Sequence, residues 1–165
     1  MTTITVKTQA ELDDALATHG ADRDAEIIIG SPKTLRLTVH TTDTASVHAY
    51  GSASVSVTGL ARVYAHDSAT VYAHDSARVT AYDSASVSAT DSASVYATGS
   101  ATVYAYESAS VRASGAAAVY AYDSASVRAT GSTFVTASDS AFVTASDSAS
   151  VHATGSARVR ATDSA

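Results

Sequence analysis

From Thr44 onward the chain alternates with a period of two inside a longer period of eight. Thr44 to Asp163 repeats the phrase Ser-Ala-Ser-Val-x-Ala-x-Asp/Gly fifteen times, and Ser164-Ala165 begin another. Positions 2, 4 and 6 hold Ala, Val and Ala almost throughout, whereas positions 3, 5 and 7 vary among Ser, Thr, Tyr, His, Arg and Phe. Side chains two apart on a strand share a face, so the constant set faces a core and the variable set faces out. Position 8, followed by Ser at position 1, carries turn chemistry: Gly permits positive φ, and Asp and Ser bond nearby backbone amides. Each repeat therefore predicts one strand and one turn, and units this alike must stack on one another.

Side-chain volume decides how many repeats make a coil. A three-sided coil of 24 residues would leave a wide triangle that Ala-Val-Ala sides cannot fill, and such voids are strongly disfavoured. Two sides bring two thin sheets together, Val on Val with Ala flanking. Sorting position 8 by parity agrees: odd repeats give Gly51, Asp67, Asp83, Gly99, Gly115, Gly131, Asp147 and Asp163, and even repeats give Gly59, Asp75, Asp91, Glu107, Asp123, Asp139 and Gly155. Like residues cluster along each edge when residues sixteen apart are vertical neighbours. The expected fold is all-β: a two-sided parallel β-solenoid of 16 residues per coil, a rod of about eight coils and about 38 Å.

Residues 1–35 read as a capping segment and residues 36–165 as the repeat solenoid. Thr2 to Lys7 has strand character. Thr8-Gln9-Ala10-Glu11 fits a capping box, Leu12, Ala15 and Leu16 follow at helical spacing, and Gly20 suits the helix stop. Glu26-Ile27-Ile28-Ile29-Gly30 reads as a buried strand, and Arg36 to Asp43 as a degenerate first repeat with Val39 and Asp43 in phase. A strand-helix-strand lid would cover an edge that otherwise recruits other chains. Ile4 to Ile29 resembles the N-terminal caps of parallel β-helix proteins such as the pectate lyases. The octapeptide array itself resembles the arrays of actinobacterial and phage-encoded proteins.

Composition narrows the function classes. Lys+Arg number 10 against Asp+Glu 16, a formal charge of −6, which argues against direct nucleic-acid binding. Without Cys there is no disulfide, thiolate metal site or cysteine nucleophile. No secretory leader and no membrane-length apolar run is visible, so synthesis in the cytoplasm is expected, with a phage particle or non-classical export left open. No cofactor, no catalytic set and no His or Asp cluster at metal spacing emerges, and a flat-sided rod offers no cleft. A non-enzymatic protein is expected.

The candidate surfaces are departures from the phrase. Asp75, Asp91, Glu107, Asp123 and Asp139 form an acidic edge. Stacked carboxylates repel unless their oxygens are used, and the expectation is that each accepts backbone amides in its own turn. Cation binding and DNA mimicry are the sharper readings; calcium-binding nonapeptide solenoids carry a ligand density this octapeptide lacks. Tyr104, Tyr106, Tyr120 and Tyr122 are expected to form an aromatic patch on the even face, with Tyr72 further along, either a stabilising ladder or a contact surface. Tyr50, His66 and Tyr82 lie near Arg62 and Arg78 on the odd face, where Arg112 and Arg128 also stack. Phe134 and Phe142 point outward on opposite faces near the C-terminus and mark a candidate association surface.

The principal expectation is a structural or interaction module whose partner is itself. It would pair as a homodimer or end to end through uncapped C-terminal coils, since no polar capping element follows the last repeat. The period also resembles that of the bacterial ice nucleation proteins, through Ala49-Tyr50-Gly51-Ser52 and Ala105-Tyr106-Glu107-Ser108, and this resemblance implies ice binding. The regular Thr-x-Thr rank of that family is missing, and Thr98, Ser114, Thr130, Ser146 and Thr162 form a single hydroxyl file beside Arg112 and Arg128. A DNA-mimic inhibitor using the acidic edge is the third reading, weakened by the interleaved arginines.

Overall fold

The computed structural model describes residues 2–19, 25–30, 36–41 and 46–162. Gly20, Asp43, Asp163, Ser164 and Ala165 lie outside the described residues, and with them the expected helix stop and the outermost acids. The chain opens with β1 (Thr2–Val6), α1 (Gln9–His19), β2 (Ala25–Ile29) and β3 (Arg36–Thr41). One strand per repeat follows, from β4 (Ser46–Ala49) and β5 (Ser54–Gly59) to β17 (Ser150–Ala153) and β18 (Arg158–Ala161).

Two parallel sheets result. Sheet A has ten strands, β1 and β2 followed by the odd repeats and ending at β18. Sheet B has eight, β3 followed by the even repeats and ending at β17. Residues sixteen apart pair directly: Val95 lies between Val79 and Val111, and Val103 between Val87 and Val119. The two-sided coil of 16 residues is the observed one.

Alternation places the core as the pattern requires. Val63, Val71, Val87, Val103 and their equivalents are fully buried, flanked by buried Ala at positions 2 and 6. Burying one Val side chain contributes about 1.5–3 kcal/mol, so a thin core that recurs in every coil adds up without large residues. Two polar residues break the pattern. Thr133 replaces a core Ala and is buried, its hydroxyl donating to the Thr130 carbonyl at 2.6 Å. Ser54, at an outward position, is also buried.

The cap follows from local chemistry. Thr8 Oγ1 accepts the Glu11 N–H at 3.3 Å, and the Glu11 carboxylate accepts the N–H groups of Lys7 and Thr8 at 2.7 and 3.2 Å. These bonds, the Lys7 amide first, hold the Glu11 carboxyl below its usual range. Leu12 and Ala15 are buried and Leu16 packs against the same core. β1 pairs in parallel with β2, and β2 with β4, so the cap is continuous with sheet A. The expectation for 26–30 is corrected in one respect. Only Ala25, Ile27 and Ile29 are buried, with Glu26 and Ile28 half-buried, because one face of β2 alone meets the core.

A second correction concerns the first coil. Val39 pairs with Val57 and Leu37 with Val55, a spacing of eighteen. Val39 therefore occupies the level of position 6 and Leu37 that of position 4. The two additional residues shift the degenerate repeat by one strand period, which keeps Val39 on its buried face.

Candidate functional site

The turns build the edges. All eight acids at position 8 among the described residues adopt positive φ, between 52° and 59°, as the glycines at that position do. Asp is among the few non-glycine residues that visit this left-handed region, and Glu107 adopts it in the same stack. Within most turns the N–H of position 2 donates to the carbonyl of position 7, as from Ala85 to Tyr82 at 3.0 Å. Between coils the N–H of position 1 donates to the position-8 carbonyl one coil back, as from Ser124 to Glu107 at 2.9 Å.

The acidic edge is corrected here. Its carboxylates reach the backbone of the preceding coil, sixteen residues away, and not their own turns. Asp75 accepts the Gly59 N–H at 3.1 Å, Asp91 that of Asp75 at 3.1 Å, and Glu107 that of Asp91 at 3.2 Å. Asp123 and Asp139 accept those of Glu107 and Asp123 at 3.1 and 3.4 Å. A left-handed turn points the position-8 N–H toward the following coil, where the next carboxylate meets it. Each carboxylate thus lies near a backbone dipole that offsets the repulsion along the row. The Asp75 amide, followed by the Thr90 hydroxyl, holds the Asp91 carboxyl below its usual range. Asp67, Asp83 and Asp147 make the same bond on the opposite edge.

The tyrosines gather as expected. Tyr104 and Tyr120 are register partners whose rings stack at 5.0 Å and 11°, and Tyr106 and Tyr122 stack at 5.0 Å and 10°. The two ladders run side by side on sheet B. Tyr72 shares the column of Tyr104 with Ser88 between them.

Sheet A carries a second ladder, Tyr50–His66–Tyr82, with ring separations of 4.4 and 4.9 Å. His48 joins it: its ring stacks on Tyr64 at 4.7 Å, its Nδ1 lies 3.3 Å from His66 Nε2, and its Nε2 lies 3.6 Å from Glu26. Burial is the main cause that holds the His48 imidazole below its ordinary value; Glu26 opposes this and His66 adds to it. His48 and Glu26 were not singled out in the sequence, because the eighteen- and twenty-residue spacings of the cap hide their proximity.

The arginines of the octapeptide array separate by sheet, whereas Arg36, in β3 before the array, lies on sheet B. Arg62, Arg78, Arg112, Arg128, Arg158 and Arg160 all belong to strands of sheet A. The strands of sheet B from β5 to β17 hold no Arg, Lys, Asp or Glu. Arg62 pairs in register with Arg78, and Arg112 with Arg128. Among the described residues the single ion pair is that of His48 with Glu26, so none of these arginines has a carboxylate within 4.0 Å. The signal in the sequence is the parity of their repeats, since every arginine of the array falls in an odd-numbered one.

Phe134 lies on sheet B and Phe142 on sheet A, 44% and 43% exposed. Beyond them the core opens: Val159 is 44% exposed where Val143, one coil earlier, is fully buried. The hydroxyls of Thr98, Thr130 and Thr162 turn toward the carbonyls of Ala81, Ala113 and Ala145 at 3.4–3.5 Å. Among the described residues no three His, Asp or Glu side chains gather in a set that could hold a metal ion, and no helix is long and apolar enough to cross a membrane.

The fold is thus a two-sided parallel β-solenoid of about eight turns with a short helix near its N-terminus. Compared with protein-family models, curated proteins and solved structures, the chain matches none.

Proposed function

We propose that the chain is a non-enzymatic structural or interaction module that self-associates through its C-terminal coils. The observation that carries this reading is a set of exposed apolar side chains in these coils: Phe134 on sheet B, Phe142 on sheet A and Val159 in β18 are 44%, 43% and 44% exposed. Large apolar side chains exposed on a surface otherwise built mostly of small polar residues mark an association surface. The tyrosine ladders are a second contact surface, since aromatic side chains carry much of the energy of protein interfaces.

Light scattering across a concentration series tests the proposal. At about 1 M salt, where contacts between exposed charges are screened, about twice the monomer mass is expected, and Val159→Lys, which places a charge among these apolar side chains, returns the protein to monomer. A wild-type protein that stays monomeric at high concentration overturns the reading.

A further inference from the structure

The acidic edge and the arginine face match each other coil by coil. Along the edge that leads from sheet B into sheet A, five acids occur in succession, Asp75, Asp91, Glu107, Asp123 and Asp139, with Gly59 and Gly155 closing the row. Along the outer face of sheet A, the same number of coils carries Arg62, Arg78, Tyr96, Arg112 and Arg128, and Phe142 follows. The middle of one row is the one longer acid, Glu107; the middle of the other is Tyr96, whose hydroxyl can donate to a carboxylate. The closing Gly155 leaves room where Phe142 stands. The opposite edge does not match, because Gly99, Gly115 and Gly131 occupy its middle.

We infer that this acidic edge of one molecule lies along the arginine face of a second copy, so that the rods associate side by side. Four observations support the occupant. The four arginines and Tyr96 are exposed, and none of the four arginines has an ion-pair partner within its own chain. Arg62 with Arg78, and Arg112 with Arg128, are like charges on adjacent strands, an arrangement that costs energy until an anion is shared between them. Each edge acid uses Oδ2 or Oε2 on a backbone amide, which leaves its other oxygen as acceptor. Both rows advance by about 4.8 Å per coil along their own rods, and the long arginine side chains take up the small mismatch that a slanted crossing introduces. Arg62 and Arg78 stand at position 3 and Arg112 and Arg128 at position 5, so the edge crosses the face at a slant, about 7 Å sideways over about 14 Å.

Edge and face are different surfaces of one molecule. The contact is therefore heterologous: each copy still offers a free edge and a free face, and assembly can pass beyond two copies. Pairing of like with like through the C-terminal coils stops at two. The inference is independent of that pairing and is separable from it by salt, because contacts between exposed charges are screened while burial of apolar side chains is not.

Sedimentation velocity of the full chain at about 0.01 M and about 1 M salt, where the screening length falls from about 30 Å to about 3 Å, tests the inference. Species heavier than a dimer are expected at low salt and absent at high salt, in the wild type and in Val159→Lys alike at its own stoichiometry. Arg112→Glu with Arg128→Glu, exposed positions that leave the core intact, weakens the low-salt association at least about tenfold. Asp123→Asn with Asp139→Asn does the same while keeping an oxygen for the backbone amide and a side chain that tolerates positive φ. A mass that is independent of salt, or that the arginine reversal leaves unchanged in a protein with wild-type circular dichroism, overturns the inference.

Discussion

The side-chain amide of Gln9 meets the backbone of Thr38 at two points. Its Oε1 accepts the Thr38 N–H at 2.7 Å, and its Nε2 donates to the Thr38 carbonyl at 2.9 Å. One primary amide thus takes the place of a neighbouring strand at the outer edge of β3, while β1 and β2 close sheet A. Gln9 Nε2 also donates to Asp13 at 2.7 Å, which fixes the side chain on α1. Gln9→Ala leaves both Thr38 groups without their protein partner and is expected to cost about 1–3 kcal/mol in urea-induced unfolding. Gln9→Asn, one methylene shorter, should not rescue it. Unfolding of Gln9→Ala that coincides with wild type would show that water replaces the bridge at no cost.

Asp123 combines a positive φ of 53° with a carboxylate on the Glu107 amide, and substitution separates the two roles. Asn retains an acceptor and tolerates the backbone, so it should be close to wild type. Gly relieves the backbone and loses the acceptor, a small loss. Ala keeps a Cβ in the left-handed region and has no acceptor, so it should be the worst, by about 1–2 kcal/mol. Thermal melts of the three variants give the order; Ala as stable as Asn would mean that the inter-coil bond contributes nothing.

Gly115 has a positive φ of +72°, and a Cβ there would meet the Gly99 amide nitrogen and carbonyl oxygen at 3.2 Å. Those atoms are backbone of the neighbouring coil and cannot swing aside. Gly115→Ala should therefore lose more than the roughly 1–2 kcal/mol of a left-handed Ala alone. Gly51, with φ +64° and no atom of the described residues within 4 Å of an added Cβ, should accept Asn with little change. Equal losses at the two sites in a denaturant titration would argue that stacking at Gly115 relaxes.

The pH dependence has a definite sign. The His48 imidazole and the Asp91 carboxyl both stand below their usual values of 6.5 and 3.8. The unfolded chain takes up these protons more readily, so their contribution is present above the usual values and is lost as pH falls through the lower folded ones. The melting temperature should decline first below about 6.5 and again in the carboxylate range. His48→Gln should abolish the first decline and leave the second. A first decline that survives in His48→Gln would assign it to another group.

The repeat made most of the fold legible. Alternation in every octapeptide identified the inward set, and the small volume of Ala and Val chose two sides over three. Long-range choices were less visible. Asp91 could in principle bond its own turn or the turn sixteen residues back, and both have identical composition; only the left-handed backbone decides. Val39 was placed two residues out because the first coil is eighteen residues long, a length no strict period announces. Gln9 acts once, so no repetition points to it. The arginines were legible in principle, since residue number alone assigns a strand to one sheet or the other. Thr133 shows the limit of consensus: one hydroxyl in a file of alanines is accommodated because a carbonyl lies within 2.6 Å.

Every inter-coil carboxylate bond runs the same way, from an acid to the amide sixteen residues before it. The array is therefore a one-way ledger of dependence. Trimming coils from the later end leaves each remaining acid with the amide it holds; trimming from the earlier end strips the first acid of its donor. A pair of octapeptides appended at the later end brings its own acceptors and asks nothing new of what precedes it. Length in this architecture is free to vary at one end, while the other, where α1 and Gln9 complete the first coil, is anchored.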